Sequence, residues 1–152
     1  MPESAELSVG EIDSGGTPKD ESKESLMNTA TWIVQGVLAF ALIGAGLMKL
    51  VKSREALLSS GPSMAWAEDF SDGRVKLIGL LEVAGAVGLV LPWALDVAPV
   101  LTPVAGIGVA LLLVGAATVH LRRHENKAIG APLFLAVLGV FVAVSRFGLL
   151  GS

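Results

Sequence analysis

One carboxylate, Glu82, stands in a run from Leu77 to Leu95 that is otherwise apolar, LIGLLEVAGAVGLVLPWAL. A charged group at the centre of a membrane-spanning helix costs on the order of 3 kcal/mol. Such a group persists where it pairs, binds a ligand or moves a proton. Two groups able to partner it close neighbouring apolar runs: Lys49 ends the first, and His120 ends the third. A carboxylate beside an ammonium and an imidazole can hydrogen-bond a polar ligand or exchange a proton with it. The same three groups can equally form a structural ion-pair network that fixes helix register.

His120 and His124, four apart in HLRRHE, put both imidazoles on one helix face. With Glu82 or Glu125 they would still fall short of a complete zinc ligand set, so no metal is expected. Both histidines sit at the same helix end and cannot be opposite axial ligands of one haem within a protomer, which disfavours a b-type cytochrome. Cysteine is absent, which excludes disulfides, thiol relays, a thiol nucleophile and Cys-ligated metals. Three arginines remain. Arg146, toward the outer end of the fourth run, is expected to snorkel to the interface, where it can also meet a headgroup or an anionic ligand. Arg122 and Arg123 read as orientation signals that can bind acidic lipid.

The elements that position these groups follow from composition. Of 152 residues, 53% are hydrophobic and only 16% are charged, against about 25% charged in an ordinary soluble domain. The charges are clustered and the net charge of −3 comes largely from the N-terminal segment. There is no basic stripe with interleaved aromatics, so nucleic-acid binding is not expected. Residues 1–27 are rich in Ser, Gly, Glu and Asp and lack apolar periodicity. They are read as a disordered acidic tail, not as a signal peptide. Met27 precedes the first apolar run and offers an alternative start of translation.

Residues 28–152 form one membrane domain. Apolar segments cover about 30–51, 75–95, 98–121 and 129–150, each close to the roughly 20 residues that span a hydrocarbon core. Backbone polar groups in lipid must be satisfied internally, so these segments are helices. The fold class is all-α, a transmembrane four-helix bundle behind a disordered acidic tail. Gln35 is the one strongly polar residue inside the first segment. Trp66 and Phe70, four apart in the one sizeable loop, suggest a short interfacial helix, and Pro92–Pro99 a tight turn. Eight of the eleven Lys and Arg residues flank the loops after the first and third segments. The positive-inside rule then places both basic loops in the cytoplasm and both termini outside, in a bacterial inner membrane.

Glu82 lies seven residues beyond Val75, about 10 Å inside its helix. Its stripe holds Gly79, Gly85 and Ala86, small residues that allow close helix approach, so Glu82 is expected to face the bundle. Ala105, Gly108 and Gly115 suggest a similar close-packing stripe on the third segment, and Ala41 and Ala45 on the first. Lys49 is expected to reach Glu82, with His120 adding a hydrogen bond.

These pieces, taken in order, resemble the DoxX-like family of small four-helix bacterial membrane proteins. The matching stretches are GAGLMKL at Gly44–Leu50, IGLLEVAGAVGLVLP at Ile78–Pro92, the Ala98-Pro99 start of the third helix, GAATVHLRRHE at Gly115–Glu125, and SRF at Ser145–Phe147. The family pattern places a Lys, a Glu and a His at the positions of Lys49, Glu82 and His120. The resemblance implies a relationship to a small subunit of a thiosulfate:quinone oxidoreductase, and association with quinone or thiol stress and membrane redox complexes. No haem, flavin or iron–sulfur motif accompanies it. The leading expectation is therefore an accessory protein of a quinone-linked redox or oxidative-stress system, holding a quinone-like or other small apolar ligand near Glu82. Its partners would be membrane lipids and redox-complex subunits. The alternative is a non-enzymatic scaffold or assembly subunit with Glu82 and Lys49 as packing glue. A small transporter ranks lower, because four helices enclose little space and no inverted repeat is evident. Homo-oligomerisation would relax that limit.

Overall fold

The computed structural model of the protein describes residues 18–150. Its elements are α1 (Pro18–Val51), α2 (Arg54–Leu58), a 3-10 helix (Pro62–Asp69), α3 (Asp72–Ala94), α4 (Leu101–Arg122), a 3-10 turn (Asn126–Ala128) and α5 (Gly130–Leu150). Helices α1, α3, α4 and α5 are each long and apolar enough to cross a membrane. The all-α, four-helix transmembrane architecture expected from the sequence is the one found.

The first helix starts earlier than expected, at Pro18 instead of about Ala30. Residues 18–27, read above as tail, are its opening turns; residues 1–17 lie outside the described residues. The extension has local causes. Pro18 occupies the first helical position, where its missing N–H costs nothing. Asp20 and Glu21 in the first turn complement the helix dipole, and Asp20 pairs with Lys23 at 3.7 Å. At 1.5 Å per residue the 34 residues of α1 extend about 51 Å. That exceeds a hydrocarbon core of roughly 30 Å, so α1 overhangs it at the N-terminal end.

The bundle places small residues inside and large apolar ones outside. Phe40, Leu111, Phe134 and Val137 are exposed, while Ala39, Gly46, Ala86, Gly106, Ala110, Gly139 and Ala143 are buried. Lipid tails are as apolar as Leu, so close backbone approach drives the packing. Helix α1 packs mainly on α3 and α4 mainly on α5, with α3–α4 and α1–α5 contacts closing the ring. Each main pair crosses at reciprocal glycines. A Cβ on Gly46 would fall 2.7 Å from the Gly79 carbonyl oxygen, and one on Gly79 2.8 Å from that of Gly46. Gly106 and Gly139 repeat this at 2.8 and 2.9 Å.

The small-residue stripes are thus partly corrected. Gly79 and Ala86 are buried as expected, but α4 packs through Gly106, Val109, Ala110 and Leu113. Gly108 and Gly115 have open space beside them, and α1 is gripped at Gly46 while Ala41 and Ala45 are half-buried. Helix α4 begins at Leu101, not Ala98, because Ala98 adopts a left-handed backbone (φ 49°) in the turn from α3.

Candidate functional site

Lys49 and Glu82 are brought together by the Gly46–Gly79 crossing, which lies one turn away along both helices. A side chain on Gly79 would sit 2.9 Å from Lys49 Cβ, so the glycine is what lets the lysine stem lie across α3. Lys49 Nζ donates to both Oε1 and Oε2 of Glu82 at 2.8 Å. The residues are only 8% and 7% exposed. The ammonium also has the Ala45 carbonyl at 3.5 Å, a long contact, and the Trp66 ring centroid at 5.6 Å.

This pair forms part of the wall of a cavity of about 450 Å³. Helices α3 and α4 touch at Gly85, whose added Cβ would meet Val109 at 2.6 Å, and at Gly88, which faces Ala105 at 3.0 Å. Toward the basic loops they part, and the cavity occupies the gap. Ile78 and Glu82 line it from α3, Leu112, Gly115 and His120 from α4, Trp66 from the 3-10 helix and Phe70 from the residue that ends it. Leu111, 68% exposed on the outer face of α4, also borders it, so the cavity meets the apolar exterior of the bundle. Its volume falls in the range of small-molecule sites, and its lining follows their pattern of apolar walls with few polar groups.

His120 lines the same cavity, but the hydrogen bond to Glu82 expected from the sequence is absent. Its Nδ1 is 2.7 Å from Glu125 Oε2. After α4 the chain reverses at His124 (φ 58°), and the Glu125 N–H donates to the His120 carbonyl at 3.0 Å. The turn thereby folds a nearer carboxylate onto the imidazole. Glu125 as acceptor makes Nδ1 the donor and leaves Nε2 as the unpaired ring nitrogen. No group of three or more His, Asp or Glu residues poised to hold a metal is present among the described residues.

The 3-10 helix closes the cavity. The short helix expected around Trp66 is present, with Trp66 buried against Lys49 and Phe70 meeting it edge to face at 5.8 Å. The segment is clamped from both sides. Arg54 donates to the Ala67 and Glu68 carbonyls, each at 2.9 Å. Arg123 bonds Glu125 and Asp69 at 2.8 Å and Glu68 at 3.1 Å. Hydrogen bonds donated to Glu125, Asp69 and Glu68 hold the Arg123 guanidinium above its usual value. Those from Arg123 and His120 hold Glu125 below the usual carboxylate range. Arg123 therefore clamps protein and does not face lipid; Arg122 beside it is exposed. Lys76 caps α1 by donating to the Leu50 and Lys52 carbonyls at 2.6 and 2.9 Å. The signal in the sequence was the acidic set Glu68, Asp69 and Asp72, in the same loop as the basic residues counted for orientation.

A second polar cluster sits toward the opposite end. Arg146 does not snorkel. It is 0% exposed, donating from Nε to Gln35 Oε1 and from Nη1 to Asn28 Oδ1, both at 2.7 Å. The indoles of Trp93 and Trp32 lie 4.3 and 4.9 Å from the guanidinium carbon. Gln35 in turn donates to the Leu89 carbonyl. Five planar donors and a weakly hydrated charge suit a guanidinium to such a nest of amides and ring faces. Gln35, noticeable in the sequence as a lone polar group, is the residue that turns Arg146 inward.

The DoxX-like family model matches residues 33–142. That span contains Lys49, Glu82 and His120 and ends before Arg146 and the Ser145–Phe147 stretch. No curated protein and no solved structure matches the chain.

Proposed function

The chain belongs to the DoxX-like family, and from that membership together with the polar wall of its cavity we propose an accessory membrane protein of a quinone-linked redox or oxidative-stress system. The observation that carries the proposal is an apolar cavity of about 450 Å³ with an ion pair in its wall. Lys49 spends two of its three N–H groups on Glu82 and leaves the third on a carbonyl at 3.5 Å, so a ligand carbonyl can take that donor at little loss. Glu82 can accept from a ligand hydroxyl. Trp66 and Phe70 offer ring faces to a flat head, and the opening beside Leu111 lets an apolar tail run into lipid. A quinone or hydroquinone has this combination of parts. The setting is a bacterial inner membrane with both basic loops cytoplasmic and both termini outside, and the partners are subunits of a membrane redox complex.

A second reading rests on the same pair. Lys49 and Glu82 lie one turn from the Gly46–Gly79 crossing, where an ion pair locks helix register, as a non-enzymatic scaffold requires. Mass spectrometry of small molecules co-purified with wild type, Glu82→Gln and Gly115→Leu separates the two. Gly115 lines the cavity with open space beside it, so leucine there fills the cavity without a clash. Ligand binding predicts a bound quinone in wild type that is lost in both variants, with the Gly115→Leu protein still folded. Wild type free of quinone, or equal occupancy in all three proteins, refutes it in favour of the scaffold.

A further inference from the structure

A second cavity, of about 420 Å³, lies at the end of the bundle opposite the basic loops and is lined by Glu21, Glu24, Ser25, Asn28, Trp93 and Leu149. Two of its walls, Asn28 and Trp93, are groups that cover Arg146. The guanidinium is fully buried, its Nη2 has no hydrogen-bond partner, and no carboxylate contacts it among the described residues. A buried cation without a countercharge is costly, and its field draws negative charge to the nearest accessible place. That place is the cavity behind Asn28. Asn28 Oδ1 is engaged by Nη1, so the exposed Asn28 side chain has its Nδ2 donors to offer an oxyanion.

The rest of the lining has the opposite sign. Glu24 and Glu21 continue the Asn28 stripe of α1, about 6 and 10 Å further along the axis. The cavity thus presents donors backed by a positive charge at its base and two carboxylates toward its mouth. That order suits a zwitterion and repels a group carrying negative charge alone. Its depth suits a lipid. Trp93 marks the edge of the apolar region, and the roughly 5–7 Å headgroup layer beyond it is where the overhanging turns of α1 carry Glu24.

We infer that this cavity binds an amine–phosphate zwitterion, the headgroup of an aminophospholipid. The phosphodiester lies at Asn28 and Ser25, the ammonium between Glu21 and Glu24, and an acyl chain along Leu149. Arg146 acts as a positioning residue, orienting Asn28 and supplying charge without touching the lipid. The site is separate from the cavity at Glu82 and does not depend on its ligand.

The test uses the full chain, reconstituted with equal amounts of phosphatidylethanolamine and phosphatidylglycerol and read by native mass spectrometry for retained lipid. Wild type retains phosphatidylethanolamine preferentially. Exposed Glu21 and Glu24 are replaceable without disturbing the bundle, and Glu21→Gln with Glu24→Gln reduces that preference about fivefold, the equivalent of ~1 kcal/mol. Asn28→Asp gives Arg146 the countercharge it lacks and repels phosphate; it remains folded and loses retained phosphatidylethanolamine by about fivefold or more. Displacement by soluble glycerophosphoethanolamine identifies the headgroup alone as sufficient. Resistance to it identifies the intact lipid, and both results uphold the amine–phosphate chemistry. Retention in the bulk lipid ratio by wild type, an unchanged preference in the double glutamine variant, or wild-type retention by Asn28→Asp overturns it.

Discussion

Breaking the Lys49–Glu82 pair from either side should destabilise the bundle strongly, while removing both charges should not. The contact is bidentate at 2.8 Å with both side chains about a tenth exposed. Two unit charges at that distance attract by roughly 6 kcal/mol at an effective dielectric constant of about 20. Most of this offsets the desolvation of the two ions, so the net worth of the pair is small. The cost of breaking it is not. Glu82→Gln leaves the buried ammonium without a countercharge, held only by a neutral amide oxygen, a carbonyl at 3.5 Å and the Trp66 ring, and Lys49→Met leaves a carboxylate with no cation in contact. Each single change is expected to cost about 3–5 kcal/mol, whereas Lys49→Met with Glu82→Leu should lie within ~1 kcal/mol of wild type. Unfolding of the four proteins in the same detergent or nanodisc, followed by tryptophan emission, closes the double-mutant cycle. Additive losses, or single variants as stable as wild type, would refute the claim that these groups depend on each other. Ligand retention in the double variant adds a second result: a stable protein without ligand supports the binding site, and one that keeps its biological function supports the scaffold.

Two further outcomes follow from the packing and from the clamp. Gly46→Ala places a Cβ 2.7 Å from the Gly79 carbonyl and should cost about 1–3 kcal/mol of stability, whereas Gly36→Ala, beside open space, should be neutral or better; a melting comparison decides. Arg123→Gln should release the 3-10 helix at Pro62–Asp69, seen as faster amide exchange there and a shift in Trp66 emission. The same release should occur on acidification. The Glu125 carboxyl is held below its ordinary value of 4.5, so its contribution is fully present above that value. It is lost as pH falls further through the depressed value. Unchanged exchange in Arg123→Gln, or release already at neutral pH, would contradict the clamp.

The membrane helices were legible because lipid removes most alternatives: each apolar run of about twenty residues must be a helix. The Lys49–Glu82 contact was legible because both are costly to leave alone and lie at similar depth. What sequence spacing did not reveal was the choice among several small-residue faces. Gly106 and Gly108 look equivalent by composition, but only Gly106 meets a backbone, since the choice depends on how α5 crosses α4. The fates of His120 and Arg146 were hidden for a related reason. Depth along a helix says how far a group is from water, not which neighbour rotates toward it. Glu125 reaches His120 by a reversal at a left-handed His124, and Arg146 turns inward because Asn28, Gln35 and two indoles converge from α1 and α3.

The two polar clusters also bear on what the bundle can do across a membrane. Gln35 and Lys49 are both buried on α1, separated by about 21 Å of helix. On α3 the nearer limits are the Leu89 carbonyl, bonded by Gln35, and Glu82, about 10 Å apart. The buried residues between those levels include Leu38, Leu42, Ala86 and Leu113, which belong to the apolar core, and no buried polar side chain of the described residues intervenes. A proton or polar solute crossing there would leave every hydrogen-bonding partner behind, at several kcal/mol for a neutral group and more for a charge. That layer argues against a conducting path within one protomer. Under the proposed function, a proton exchanged at Glu82 would pass through the clamped segment on the basic-loop side or to a molecule that arrives through lipid beside Leu111. On that proposal the site would be one-sided, and a redox ligand there would take up and release protons at the face of the membrane that carries the basic loops.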